Sequence, residues 1–431
     1  MSGSELSVTG PSPSALFCRL LDRTCPGADS AAVTRAARPA PRPDPRAVNL
    51  ARILDVLRLE GPLARTDIVH RAGLSRATVS SLLSELLDRG LVREEADTRR
   101  LASGGRPPGL VNIEPSAAAA IGVDIGRTHV RVAVADLGLQ VLAEGVEHVD
   151  VPGHPEETLT LVTELTERVL KESAVEPSAL LGVGVGLPGP VDRVSGRLGS
   201  ATILPGWEGF APRDELEKRL RTPVQVENDA NLGALAEGQL GAGRGSRVLA
   251  YVKVATGVGA GLVVDGRLFR GASGAAGEIG HTTQANSGPV CRCGNRGCLE
   301  QLAGATALLA QMAVAGVELD GVESLLRLAA DGHAIARRLL VDAGEHIGLA
   351  VANLVALIDA DRVVVGGELG ATNEPLVAAV RSAAQSAAVT KAGSTVDIVP
   401  AELGDHAEVL GAVILVLREP VSLGAELLTR R

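Results

Sequence analysis

From Asn49 onward apolar residues recur at helical spacing. NLARILDVLRLEG puts Leu50, Ile53, Leu54 and Leu57 on one face of a helix that Gly61-Pro62 stops. RTDIVHRAGLS supplies a second short helix, starting near Arg65 or Thr66 and turning at Gly73. SRATVSSLLSELLDRGLV opens on Ser75, a good N-cap, repeats Val79, Leu82, Leu83, Leu86 and Leu87 on one face, and closes at Gly90. Helix, helix, glycine turn, helix is the helix-turn-helix order. A hairpin is expected next, from LVREEADTRR through GGRPPG to LVNIEP, giving a winged helix-turn-helix over residues 46–115. Past Glu114-Pro115 the texture turns α/β. IGVDIGRTHVRVAVAD, LGVGVGLPGPVD, VLAYVKVATGVGAGLVVDG and DRVVVGGELG are strand-like runs, each meeting a glycine-rich turn. Helical stretches separate them, among them PEETLTLVTELTERVLKES and HAIARRLLVDAGEHIGLAVANLVALI. The pattern predicts two related α/β lobes with a cleft between them over residues 116–431. Residues 1–45, rich in Ser, Pro, Ala and Arg without sustained periodicity, read as a disordered tail; Cys18 and Cys25 lie in it with no assigned role.

A length of 431 residues is too much for one ordinary core and fits two or three domains. Aromatics make up only 1% of the chain, so Val, Leu, Ile and Ala must fill the core, and no aromatic platform for stacking single-stranded bases is available. There is no run of about 20 apolar residues for a membrane span, and the N-terminal residues lack the charged-then-apolar order of a signal peptide. A cytoplasmic protein with reduced thiols is expected. The net charge of −9 is uneven: residues 1–115 carry 16 Lys and Arg against 13 Asp and Glu, and the remainder 26 against 38. A basic front on an acidic body points to nucleic acid at the N-terminal end. Three packed helices with no DNA role would show the same buried stripe. Against that, the helix capped by Ser75 keeps Arg76, Thr78, Ser80, Ser81 and Ser84 off its apolar face, and such side chains reach base edges and phosphates in a major groove. Arg106, on the stiff narrow GGRPPG loop, is shaped for a minor groove. Double-stranded DNA is the expected partner.

Three of the five cysteines fall within HTTQANSGPVCRCGNRGCLE, residues 281–300. His281, Cys291, Cys293 and Cys298 make a closed set of three thiolates and one imidazole, the composition of a structural zinc site. Gly294 and Gly297 permit the tight turns that bring such closely spaced thiols onto one ion. The alternative, buried free cysteines, fits poorly with so dense and polar a segment as CRCGNRGC. A metal there would fix Glu278, in GEIGH, relative to Glu300, and two rigid carboxylates suit the vicinal hydroxyls of a sugar. VENDAN adds Asn228 and Asp229 at the expected start of a helix, near its positive end.

On these ordered motifs, residues 48–418 resemble the ROK family of sugar kinases and sugar-responsive repressors. The resemblance implies a fold similar to the two-lobed actin/hexokinase-type ATPases, with the winged helix found in the family's repressors. It implies that His281, Cys291, Cys293 and Cys298 are zinc ligands and that Glu278, His281 and Glu300 contact sugar. It makes Asn228 and Asp229 sugar ligands, and Asp229 the general base if the chain were a kinase. The kinases carry D-x-G-G-T-K where this chain reads DIGRTH: Asp124, Gly126 and Thr128 remain, but Arg127 and His129 replace a glycine and a lysine. A long side chain in that turn crowds the approach of phosphate. The second phosphate loop, ATGVGAG with Thr256 and Gly257, is intact, whereas VGGE keeps Gly366 and Gly367 but places Glu368 on the adenosine side. The resemblance therefore implies a dimeric, sugar- or sugar-phosphate-responsive repressor on operator DNA. The alternatives are a ROK-type sugar kinase, which could be bifunctional, and a scaffold with both sites dead.

Overall fold

The computed structural model describes residues 45–96, 109–192, 195–199, 204–389 and 396–418. Arg106, the tip of the wing, Cys18 and Cys25 lie outside the described residues.

Three helices form where the apolar stripes predict them: α1 (Pro45–Glu60), α2 (Arg65–Ala72) and α3 (Arg76–Asp88). Leu50, Ile53, Leu54 and Leu57 of α1 are buried against Ile68 of α2 and Val79, Leu82, Leu83 and Leu86 of α3. Gly61, Gly73 and Gly90, which follow the three helices, adopt positive φ angles of 77°, 60° and 68°, conformations open to glycine at little cost. The wing is an antiparallel pair, β2 (Val92–Ala96) with β3 (Gly109–Ile113), joined by a short strand the sequence pattern did not suggest, β1 (Leu63–Ala64). Leu63 stands opposite Val111, so the link between the first two helices closes the wing sheet.

Each lobe of the body holds a five-stranded sheet. The first runs β6-β5-β4-β7-β8, from β4 (Ala119–Ile125), β5 (His129–Asp136), β6 (Val141–His148), β7 (Leu180–Leu187) and β8 (Val224–Asn228). The second runs β11-β10-β9-β12-β13, from β9 (Val248–Val254), β10 (Val258–Val264), β11 (Arg267–Leu268), β12 (Arg362–Gly366) and β13 (Asp397–Pro400). In each, the first three strands in sequence form an antiparallel meander and the last two add in parallel on the far side. The two sheets share one order, as the paired strand-turn-strand units in the sequence predict.

The helices that matter for the site are α4 (Pro155–Ser173), packed on the first sheet, α5 (Pro212–Leu220), α6 (Asp229–Gln239), α7 (Glu300–Ala303), α8 (Ala305–Val314), α9 (Val322–Ala330), α10 (Ala334–Ile358), α11 (Gly367–Gly370), α12 (Glu374–Ser386) and α13 (Ala407–Arg418). Among the described residues α10 alone is long and apolar enough to cross a membrane by length and composition; it carries Arg337, Arg338, Asp342 and Glu345 and packs against α12.

Helix α13 lies on β4 and β7 of the first sheet and against α6, and every residue from Ala407 to Leu417 is buried. Glycines make this approach possible. A Cβ on Gly122 would stand 2.2 Å from the Val409 carbonyl oxygen, and one on Gly184 2.1 Å from that of Ala412. The other face of α13 shares its apolar cluster with α1 and α3. At the join, Arg418 Nε donates to Asp55 Oδ2 at 2.7 Å and Arg58 Nη1 to Asp55 Oδ1 at 2.7 Å. Arg58 Nε also donates to the Leu137 carbonyl at 2.8 Å.

Candidate functional site

Strand β8 runs directly into α6, and the ENDAN residues build that corner. Asn228 Oδ1 accepts the Asn231 backbone N–H at 3.0 Å, capping the helix, while its Nδ2 donates to the Gly189 carbonyl at 3.0 Å. Glu227 accepts from Asn231 Nδ2 at 2.9 Å and pairs with Arg270. The side chain of Asn228 is therefore engaged in shaping the turn. Asp229 accepts its neighbour's N–H, from Ala230, at Oδ1 (2.8 Å) and the Lys253 ammonium at Oδ2 (2.9 Å).

Asp229, Glu278 and Glu300 come together although they are far apart in sequence. Burial, reinforced by the charges of Asp229 and Glu300, pushes the Glu278 carboxyl up to about 7. Glu300 opens the one-turn α7 directly after Cys298-Leu299, and its Oε1 lies 3.1 Å from Arg292 Nε. The result is a group of acceptors with one carboxyl able to hold a proton near neutrality, and so to donate as well as accept.

The donor atoms of His281, Cys291, Cys293 and Cys298 all lie within 4.8 Å of one another. Cys293 Sγ is 3.6 Å from Cys298 Sγ, and Cys291 Sγ is 3.6 Å from His281 Nδ1. Donors on one tetrahedral ion at about 2.0–2.3 Å stand roughly 3.3–3.8 Å apart, so these residues fit a metal ion. Gly294 and Gly297 turn the chain at φ angles of 92° and 60°, as the spacing predicts. His281 faces both groups: Nδ1 meets the thiols, and Nε2 lies on the Glu278 side, 3.9 Å from its Oε2 and beyond hydrogen-bond reach.

The phosphate side is filled. A Cβ on Gly126 would stand 2.4 Å from the His129 ring, which folds back over the first turn while its Nε2 sits 3.0 Å from Asp124 Oδ2. Arg127 is half-buried beside Arg292 and Glu300, and Thr128 is exposed. The sequence points to Arg127 as the obstruction; His129 occupies the turn more directly. At the second loop, Glu300 lies across Gly257, where a Cβ would meet its Oε2 at 2.3 Å, and the Thr256 carbonyl accepts the Thr306 hydroxyl at 3.0 Å. Gly366 faces the Tyr251 ring, and Gly367 takes a φ of 76° against the Val254 backbone. Glu368 is near enough to His129 for its charge to favour the imidazolium.

On the helix-turn-helix, Ser75 Oγ accepts the Thr78 N–H at 3.1 Å and shares a hydrogen bond with the Thr78 hydroxyl at 2.8 Å, closing the N-cap. Arg76, Ser80, Ser81 and Ser84 are exposed, and Thr78 is half-buried.

Sequence reasoning missed three residues linked to Asp229: Lys253, Tyr251 and Glu408. Lys253 Nζ lies 3.2 Å from Glu408 Oε1 as well as on Asp229, and Tyr251 donates its hydroxyl to Glu408 at 3.3 Å. Their signal was one lysine inside the apolar run VLAYVKV and one acid near the head of AEVLGAVILVLR.

The ROK family profile matches residues 120–419, and the IclR helix-turn-helix domain profile residues 47–96. The chain is 31% identical to the xylose repressor of Caldicellulosiruptor bescii over 373 residues, covering 84% of this chain and 93% of that one. It is 30% identical to the DNA-binding transcriptional dual regulator NagC of Escherichia coli, over 86% of this chain and 92% of that one. Among solved structures, a ROK family transcriptional regulator, a homologue of the E. coli MLC protein, shares the fold with a TM-score of 0.74 at 24% identity, over 89% of this chain and 99% of that one. A ROK family glucokinase from Streptomyces griseus, in complex with glucose and AMPPNP, aligns at a TM-score of 0.62 and 27% identity, over 69% of this chain and 99% of that one.

The His129–Asp124 pair predicts a pH signature. Burial works against the imidazolium, but the hydrogen bond to Asp124 and the charges of Asp124 and Glu368 together outweigh it and raise the pKa of His129. A raised basic pKa contributes stability that is full below the unfolded value of about 6.5 and is lost as pH rises through the folded pKa. The Asp124 pKa is lowered: burial opposes this, but the His129 bond and the charges of Lys253, His129 and Arg131 together prevail, so Asp124 stays ionised in this window. His129→Gln should therefore lower the melting temperature more at pH 6 than at pH 9. A deficit independent of pH, or growing with it, would contradict the pairing.

Proposed function

The chain belongs to the ROK family, and on that premise we propose how this sugar-responsive transcriptional repressor works: its cleft takes a sugar, and its winged helix holds double-stranded operator DNA. The observation that carries the reading is the contrast between the two sides of the cleft. Asp229, Glu278 and Glu300 converge as hydrogen-bonding groups, whereas the His129 ring fills the first phosphate turn. In a kinase Asp229 would draw the proton from the attacking hydroxyl. Here its partner is the Lys253 ammonium, and the same carboxylate serves to hold the sugar.

In this reading Glu278 and Glu300 grip vicinal hydroxyls, the His281 Nε2 on the Glu278 side meets the same sugar, and Asn228 keeps Asp229 aimed by fixing the turn. His281, Cys291, Cys293 and Cys298 hold one structural zinc ion, which ties the Glu278 segment to the Glu300 segment. Ser75 caps the recognition helix, while Arg76, Thr78, Ser80, Ser81 and Arg106 meet the DNA. Residues 46–115 form the DNA-binding domain and residues 116–431 the sensing body. The protein acts in the cytoplasm as a homodimer, because two linked winged helices on paired half-sites bind far more tightly than one.

Three measurements follow from this. Elemental analysis should find about one zinc per chain, and Cys293→Ser should lose the metal together with the sugar response, since a three-ligand site binds far more weakly and frees both carboxylate segments. Zinc-free protein from a careful purification would remove the claim.

Calorimetric titration with D-xylose, D-glucose, N-acetyl-D-glucosamine and their phosphates should show one binding, unaffected by ATP and Mg²⁺. Asp229→Asn should weaken that binding by about 1–2 kcal/mol, the scale of one charge-assisted hydrogen bond. ATP turnover by the wild type that Asp229→Asn abolishes would establish a kinase instead.

On the DNA side, Arg76→Ala should cost on the order of 1–3 kcal/mol on the operator and relax base selection. Equal affinity of the wild type for operator and random DNA at moderate salt would refute the regulator reading.

A further inference from the structure

Lys253 is the cation at the centre of the acidic groups between the lobes. Its ammonium lies 2.9 Å from Asp229 Oδ2 and 3.2 Å from Glu408 Oε1, with 13% of the side chain exposed. Burial disfavours its charge, but Asp229, Glu408 and Asp124 outweigh that and hold its pKa well above the usual lysine range. The groups around it come from every neighbouring element: Asp229 from α6, Glu408 from α13, Asp124 from β4 with His129 bonded to it from β5, and Tyr251 from its own strand. Burial and the charges of Asp124 and Asp229 push the Glu408 pKa up, so Glu408 depends on Lys253 for its charge.

The two carboxylates differ in what else they do. Asp229 belongs to the proposed sugar site, with Oδ1 already on the Ala230 N–H, which leaves Oδ2 as the atom a sugar hydroxyl would share with Lys253. Glu408 is the second residue of α13, a helix buried on all sides. The other end of α13 is Arg418, bonded to Asp55 of α1, which in turn holds Arg58. A straight helix of 12 residues spans about 18 Å. Its head is in the cleft and its tail is in the winged helix.

We propose that Lys253 is the positioning residue that couples the cleft to the DNA-binding region, by dividing its contacts between Asp229 and the Glu408 head of α13. When a hydroxyl takes Asp229 Oδ2, the ammonium shifts towards Glu408, and α13, enclosed by close-packed neighbours, passes the shift to its Arg418–Asp55 contact. The assignment of Asp229 to a sugar rests on the function proposed above; the contacts from Lys253 to Asp55 do not.

Hydrogen exchange on the full-length, zinc-loaded protein tests this without knowledge of the effector. Lys253→Met, Glu408→Gln and Asp229→Asn should each accelerate exchange in helix Pro45–Glu60 on the order of tenfold. Helix Ala334–Ile358 of the second lobe, in the same molecules, should keep its wild-type rate. Lys253→Arg, which restores a cation, should return Pro45–Glu60 towards the wild-type rate. Unchanged Pro45–Glu60 exchange in all three variants overturns the proposal. So does equal acceleration of both helices, which would mark Lys253 as a stabiliser of the whole fold. Parallel calorimetry with D-xylose, D-glucose and N-acetyl-D-glucosamine separates the two claims. If none binds while the exchange pattern appears, the coupling stands and the sugar reading falls. If one binds and helix Pro45–Glu60 does not respond to it, the coupling falls and the sugar reading stands.

Discussion

Helix α13 has no solvent face, and that constraint organises the molecule. Its carbonyls press on the glycine positions of β4 and β7, its own Gly411 meets the Leu232 carbonyl of α6, and its apolar residues complete the core of the winged helix. One segment thus belongs to the first lobe, to the contact with the helix that begins at Asp229, and to the base of the DNA-binding region. Interiors packed to crystalline density do not absorb a displaced helix by local softening. A change at one end of α13 must therefore be met by its neighbours along its length.

The cleft sets two chemistries side by side. Towards the cysteine loop, burial and the nearby charges of Asp229 and Glu300 raise the pKa of Glu278. Towards the first turn, charges pair inside the protein: Asp124 with His129, and Lys253 with Asp229 and Glu408. The Streptomyces griseus glucokinase, in complex with glucose and AMPPNP, shares this fold over the body. The likeness covers 69% of this chain and 99% of the glucokinase, so a shared fold does not by itself assign a shared activity.

The helix-turn-helix was legible because its information is local. An apolar stripe, a serine cap and a terminal glycine are written within about a dozen consecutive residues. The cysteine cluster was legible for the same reason: its four donors span 18 residues and its turns are marked by glycine. Even the likeness of the two sheets could be read from repeated strand-turn-strand units. The Lys253–Glu408 contact could not, since 155 residues separate the partners and each looks like an ordinary charge in its own segment. Strand β1 is two residues long and exists only because Leu63 meets Val111. The filling of the Gly126 turn depended on a rotamer of His129, which no spacing rule reports.

Two sheets of identical order place two comparable hairpin turns on the cleft, at residues 126–128 and 255–257. At the first, the His129 ring stands against Gly126. The second keeps its glycine, and the space that glycine leaves holds the Glu300 carboxylate. A side chain at residue 257 would collide with that carboxylate, so an acid inside the protein is enough to require glycine at this position. Glycine here answers to a neighbour in the same fold, a demand that a glycine-rich run in the sequence does not distinguish from a loop kept bare for a ligand.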